Sequence, residues 1–403
     1  MKVKLSDVCV EGGIQTGPFG AQLHQSDYSE QGTPVCMPVN LVDGSISENG
    51  IARVSEEHVE RLSRYKVKPG DLLYARRGDV GRGSLVSAHE DGWLCGTGCL
   101  KVTPDQTKID SRYLFYLTSL PETIGWLVNH AKGTTMLNLN TEILSSLPLE
   151  IEENFEAQRR IADVLSAYDE LIENNRRQIK LLEEAAQRLY KEWFIDLNFP
   201  GHETTPIHNG LPEGWKRATL GDIADINANS ASRPQLPEQI DYVDLSSVSN
   251  GYVNSTAKFN RDNAPGRARR LAKDGSIAWG MVRPAQRSYA LVRHPSTETV
   301  LSTGFSIIDA VDVPFSFLFG ELSRDAFVAY LVGLTNGSTY PAVKPEHFSQ
   351  YSLIVPSGEL LASYDSLARP MLDSCYALQR QVTLAREARD RLLPKLMSGE
   401  IEV

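Results

Sequence analysis

The 403-residue sequence predicts an α+β protein with two tandem mixed α/β domains and two long helices that pair as an antiparallel coiled coil, giving pseudo-two-fold symmetry. Three observations carry this. The chain repeats itself at an offset of about 205 residues. Each repeat opens with short β-branched and aromatic runs punctuated by Gly and Pro. Each repeat closes on a long apolar stripe with heptad spacing.

Composition sets the frame. A hydrophobic share of 41% and a charged share of 23% are those of a folded globular chain. The longest apolar run, Val313 to Leu322, is interrupted by Pro314, Ser316 and Gly320 and is too short to span a bilayer. The opening residues show no apolar segment leading to a cleavage site, so a cytoplasmic protein is expected. Of five cysteines, Cys95 and Cys99 stand four apart, but no second pair completes a zinc site; buried, reduced thiols and no metal are expected. The net charge of -10 argues against a simple DNA-coating protein, which would be basic. Split at 150, 200 and 356, the four segments carry -4, -4, -1 and -1, so any DNA contact uses local basic clusters or a partner's positive surface.

The repeat is legible in four places. Lys4 to Val8 resembles Thr219 to Ile223, and Tyr65 to Val86 resembles Arg270 to Val292. Thr97-Gly98 is echoed by Thr303-Gly304. Gly133-Thr134-Thr135, followed by Leu139, Ile143 and Pro148, is echoed by Gly337-Ser338-Thr339, Val343, Phe348 and Pro356. Four matches in one order indicate duplication, with loops of different length on a common framework. Strands are expected at Asp71 to Tyr74, Ser84 to Val86 and Ser276 to Trp279, and short helices at Arg112 to Leu120 and Phe315 to Leu322. The boundaries read as 1–151 for the first domain, 152–197 for the first long helix, 198–356 for the second domain and 357–403 for the second long helix.

The first stripe is Ile161, Leu165, Tyr168, Ile172, Asn175, Ile179, Leu182, Ala186, Leu189 and Trp193, with Asn175 its one polar member. The second is Leu361, Tyr364, Ala368, Met371, Cys375, Leu378, Val382, Ala385, Arg389, Leu392 and Leu396. From Tyr364 onward each member lies 203 residues after its counterpart. A narrow stripe is weakly stable alone, so each helix is the other's natural partner; the bland alternative packs each on its own domain. Asn175 is expected to fix register. Pro370 is expected to kink the second helix or to stand in its first turn. Ile161 to Trp193 spans about 48 Å of rise, and paired half-sites on duplex DNA suit a two-fold ruler of that kind.

The segments Gly13 to Tyr28, Pro69 to Gly81, Gly133 to Leu149, Gln158 to Phe194 and Arg389 to Ile401 together resemble the specificity subunits of type I restriction-modification systems. The resemblance follows the family's order of target-recognition domain, conserved helix, second target-recognition domain and conserved helix. It departs in the second domain, where the Gly-Asp strand start reads Asp274-Gly275-Ser276. It implies a non-catalytic reader of a bipartite DNA target, with the coiled coil setting the spacer. The implied partners are double-stranded DNA, two adenine-methyltransferase subunits using S-adenosylmethionine, and restriction subunits using ATP and Mg. This chain then needs no cofactor, and it has no phosphate loop and no Asn-Pro-Pro-aromatic segment. A specificity-like scaffold or DNA-recognition subunit of another defence complex is the alternative; a two-lobed small-molecule enzyme lacks a matched catalytic set.

Bases are read in the major groove by Arg or Lys on guanine, Asn or Gln on adenine, and Asp or Glu on cytosine. In the first domain the candidates, in Gly-rich or turn-like segments, are Gln15, Gln22, His24, Arg76, Arg77, Arg82, Lys132 and Thr134. In the second they are Arg233, Arg267, Arg269, Arg270, Arg283, Arg287, Asn336 and Lys344, with Arg267 to Arg270 equally suited to phosphate. Phe19, Trp93, Tyr289 and Tyr340 read as packing residues rather than base-stackers.

Overall fold

The computed structural model describes residues 1–19, 22–133, 137–335 and 341–403. It divides into two compact units, Met1–Glu173 with Thr383–Val403, and Asn174–Val382.

In the first unit an antiparallel sheet runs in the order Cys9–Thr16, Cys99–Pro104, Leu72–Ala75, Gly83–Leu85. Alternation along its strands gives it two buried faces. Leu72, Tyr74, Leu100 and Val102 pack on the helices Ser111–Thr118, Pro121–His130 and Thr141–Ser145 through Tyr113, Leu114, Leu127 and Leu144. Leu73, Ala75 and Cys99 point the other way, toward Cys36, Cys95 and Trp93. A second sheet orders Leu94–Cys95, Thr33–Cys36, Ala52–Val54 and Tyr28–Ser29, with its first pair parallel. The strand Lys2–Lys4 pairs antiparallel with Pro148–Glu150, so the segment enters and leaves through adjacent strands.

The second unit repeats this plan. Its antiparallel sheet orders Ala224–Ile226, Phe305–Ala310, Ile277–Gly280 and Tyr289–Leu291. Its other sheet orders Ala257–Asn260, Gln239–Val243, Thr299–Ser302 and Ala268–Arg270, again with one parallel pair. Lys216–Thr219 pairs with Ser352–Val355 as the matching clasp. The expected strands and helices are present, with ends that differ by at most two residues: Leu72–Ala75, Gly83–Leu85, Ile277–Gly280, Ser111–Thr118 and Phe315–Leu322. The two units differ in one edge strand. Tyr28–Ser29 flanks the antiparallel side of the parallel pair in the first unit, and Ala268–Arg270 flanks the other side in the second.

Two 40-residue helices, Phe155–Phe194 and Gly358–Met397, carry the two stripes. Asn154 Oδ1 caps the first, accepting the N–H groups of Glu156 and Ala157 at 2.9 and 3.2 Å. No stripe member is exposed: Ile161, Leu165, Ile172, Asn175, Ile179 and Trp193 are buried, and Tyr168, Leu182, Ala186 and Leu189 are partly buried. On the second helix Leu361, Tyr364, Ala368, Cys375, Val382, Ala385 and Leu396 are buried, and Met371, Leu378, Arg389 and Leu392 partly so. Within the first unit Ile161 and Leu165 share a core with Leu393 and Leu396, and Arg389 donates to Asp169. Within the second unit Asn175 Nδ2 donates to Gln381 Oε1 at 3.1 Å, and the Trp193 and Tyr364 rings stand 6.0 Å apart. The expectation that Pro370 stands in the first turn is corrected. The second helix begins twelve residues before it and runs on for another 27, because a solvent-facing proline forfeits one backbone bond that packing on the other face outweighs.

Each helix is also bolted to strands and short helices of its own unit. Tyr116 OH donates to Asp169 at 2.5 Å and Arg112 lies 2.7 Å from Asp163. In the second unit Glu321 is 5% exposed and accepts from Tyr190 OH at 2.5 Å, Tyr351 OH at 2.6 Å and Arg324 at 2.7 Å. Burial and the Glu321 charge push both phenols far above their ordinary range, so they remain donors. Replacing Glu321 by Ala strands three buried or half-buried donors. A loss of about 3–5 kcal/mol is expected, read as the denaturation midpoint of the second unit; an unshifted midpoint contradicts the anchoring role.

All five cysteines are buried and outside any disulfide, and burial raises the Cys36, Cys95 and Cys99 thiols. Among the described residues no cluster of His, Cys, Asp or Glu could hold a metal ion, and no helix is long and apolar enough to cross a membrane.

Candidate nucleic-acid interface

In the first unit three candidates converge on one residue that the sequence reading passed over, Asn138. Arg76 follows the strand Leu72–Ala75 and its Nε donates to Asn138 Oδ1 at 3.2 Å. Arg77 forms an isolated bridge with Asn138, and so does Lys132, whose main chain exchanges bonds of 3.0 and 2.8 Å with it. Arg77 and Lys132 are exposed and make no ion pair among the described residues. The main-chain bond from Leu139 N–H to Arg76 carbonyl, 2.8 Å, closes this junction between the sheet and the Gly133 loop.

The other first-unit candidates lie elsewhere. Gln15 is in the strand Cys9–Thr16 rather than a turn, partly buried opposite Lys101. The Lys101 ammonium on that face is buried and donates to the Lys66 carbonyl at 2.8 Å. Gln22 is exposed, with Oε1 accepting from Tyr65 OH at 2.7 Å, which leaves its amide NH2 to face outward partners. His24 is exposed at the start of the short turn Gln25–Asp27. Arg82 pairs with Asp79 at 3.1 Å. Thr134 lies outside the described residues. Phe19 departs from its expected packing role: it is 57% exposed. Trp93 and Tyr289 are buried as expected, at 8% and 7%; Tyr340 lies outside the described residues.

The second unit places its candidates in two groups. The hairpin after Ile277–Gly280 carries Arg283 and Arg287, both non-glycine residues in the left-handed region at φ 50° and 54°. Two such residues flanking Pro284 hold the turn in a conformation that most sequences avoid. The Arg283 N–H donates to the Pro341 carbonyl at 2.8 Å, which draws this hairpin to the segment before Lys344. Lys344 is exposed at the start of the helix Pro345–Ser349. Arg287 is bound to Asp325, which holds that carboxyl below its ordinary range. The second group lies on and beside the edge strand Ala268–Arg270. Arg267 and Arg269 are exposed and two residues apart, on one face. Arg270 faces the other way, donates to Ser230 Oγ at 2.8 Å and makes no ion pair among the described residues; burial lowers its pKa. Arg233 is spent as a brace, donating to the carbonyls of Asp262 and Ala264 at 2.6 and 2.7 Å. Asn336 lies outside the described residues.

The arrangement is a set of exposed cations on hairpins and an edge strand, each mounted on a buried sheet. It offers phosphate attraction and hydrogen-bond donors.

A family model described as the type I restriction modification DNA specificity domain matches residues 2–184. The chain is 25% identical over 364 residues to the type I restriction enzyme MjaIX specificity subunit of Methanocaldococcus jannaschii, covering 88% of this chain and 83% of that protein. It is 20% identical over 430 residues to the HindI specificity subunit of Haemophilus influenzae, covering 89% and 93%. Among solved structures, its fold matches a type I restriction-modification system S subunit from M. genitalium with a TM-score of 0.64 and 14% identity, over 98% of this chain and 96% of that one.

Proposed function

Because this chain belongs to the type I restriction-modification specificity subunits, a family not catalytic in itself, we propose that it reads a two-part DNA target and directs partners that do the chemistry. Each recognition domain, 1–151 and 198–356, reads one half-site. The long helices, 152–197 and 357–403, pair antiparallel as a coiled coil and set the unread spacer. The observation that carries this reading is the repeated strand order of the two units, each clasped by an equivalent strand pair. Stripe contacts that pair rising numbers on one helix with falling numbers on the other, Asp169 with Arg389 and Asn175 with Gln381, support the antiparallel arrangement.

In this reading two methyltransferase subunits supply S-adenosylmethionine-dependent adenine methylation, and restriction subunits supply ATP- and Mg-dependent cleavage, in the cytoplasm. The charge of -10 assigns much of the non-specific DNA attraction to those partners. Adenine-methylation mapping of cells with and without this chain tests the proposal: a gapped, bipartite motif that disappears with the chain is expected, and an unchanged methylome sinks it. Arg77 and Lys132 are assigned to phosphate. Lys132→Ala is expected to weaken binding by the assembled complex evenly across sequences and to lower the slope of log affinity against log salt by about one. Loss confined to one target base contradicts that assignment.

A further inference from the structure

The junction around Asn138 occurs twice in the chain with the same main chain and different side chains. In the first unit Arg76 N–H donates to the Gly98 carbonyl at 2.7 Å, the Arg76 carbonyl accepts from Leu139 at 2.8 Å, and Arg77 bridges Asn138. In the second, Met281 N–H donates to the Gly304 carbonyl at 2.9 Å, the Met281 carbonyl accepts from Val343 at 2.9 Å, and Val282 bridges Ala342. Met281 and Ala342 cannot make the side-chain bond that joins Arg76 to Asn138. The second unit therefore builds this scaffold without the pair. Folding alone does not require it.

The pair's chemistry is that of a held reader. Asn138 is clamped through both its N–H and its carbonyl to Lys132. A guanidinium Nε–H can only donate, so the Asn138 atom facing Arg76 is Oδ1, and the Nδ2 amino group is turned away from it. Oδ1 keeps a second lone pair. The amide thus offers one acceptor and one donor side by side in a fixed orientation, which is the complement of adenine N6–H and N7 in the major groove. Exposed Arg77 and Lys132 flank it and supply attraction for the backbone phosphates on either side.

We infer that Asn138 reads an adenine of the first half-site and that Arg76 is its positioning residue, an assignment that rests on the DNA-reading function proposed above. Arg76 then acts through Asn138 rather than on a base of its own, and the second half-site, served by Met281 and Ala342, has no equivalent contact.

The test uses the chain assembled with its methyltransferase partners, with methylated sites mapped genome-wide. The double variant Arg76→Met, Asn138→Ala carries the side chains that the second unit already accommodates on this backbone, so it is expected to fold. Preference for A·T at one position of the first half-site should fall on the order of 10- to 100-fold, the worth of one bidentate contact, while the second half-site is unchanged. Asn138→Ala alone should give the full loss at that position. Arg76→Met alone should give a smaller loss at the same position, because the amide remains but is free to rotate. A merely structural Arg76 would weaken all positions alike. With a wild-type complex that reads a bipartite target, an unchanged motif in the double variant, or a loss spread over the half-site, overturns the adenine assignment and leaves the proposed function standing. A wild-type complex with no defined motif overturns both.

Discussion

Exchanging residues 1–151 for the corresponding domain of another specificity subunit is expected to replace one half of the methylated motif and leave the other half and the spacer untouched. The segment closes on itself through Lys2–Lys4 and Pro148–Glu150, and the cut at 151 falls just outside that pair. Its sheet core is internal, built on Leu72, Tyr74, Leu100 and Val102. What the graft must reproduce is the face toward the long helix. Tyr116 meets Asp169, Gln158 accepts from Asp110 N–H at 3.0 Å, and Ile161 and Leu165 complete the apolar core. Each wrong base pair costs about 1–3 kcal/mol, so a half-site of several positions amounts to an all-or-none change in which genomic sites are methylated. Mapping that shows both halves altered, or neither, rules out independent readers.

Lengthening both rods is expected to lengthen the gap. Four residues inserted beside Asn175 and four beside Gln381 add about 6 Å of rise, or about two base pairs at roughly 3.4 Å each. Four residues turn a helix by about 400°, which returns the stripe to within about 40° of its face and keeps it buried. Two residues turn it by about 200° and carry Ile179, Leu182 and their successors toward water, so matched two-residue insertions should abolish assembly rather than move the gap. Methylation mapping separates the outcomes. An unchanged spacer in the four-residue variant refutes the ruler.

Much of this architecture could be read from the chain. The duplication was visible because the Leu-x-Asp opening, the Thr-Gly dipeptide and the heptads are local patterns, and local patterns survive in sequence. The stripes were the surest element: every named member is at least partly buried. The second sheet was far less legible. Its strands are two to five residues long, and the edge that differs between the units is decided by pairing across distant segments. Pro370 misled because its cost is local while the packing that outweighs it is not. The candidate interface was legible as residue types and not as roles. Arg76 and Asn138 are 62 positions apart, and only the fold shows that one holds the other. Arg233, picked as a base reader, is engaged by two carbonyls, and Arg287 by Asp325. Nothing in composition distinguishes a braced arginine from an available one.

The strand clasp also bears on heredity. A module whose first and last strands lie side by side can be cut from one gene and pasted into another at two neighbouring points in space, with long helical segments on its flanks to guide crossover. New preferences would then arise in single recombination events, without passing through half-functional intermediates that mark one sequence while sparing none.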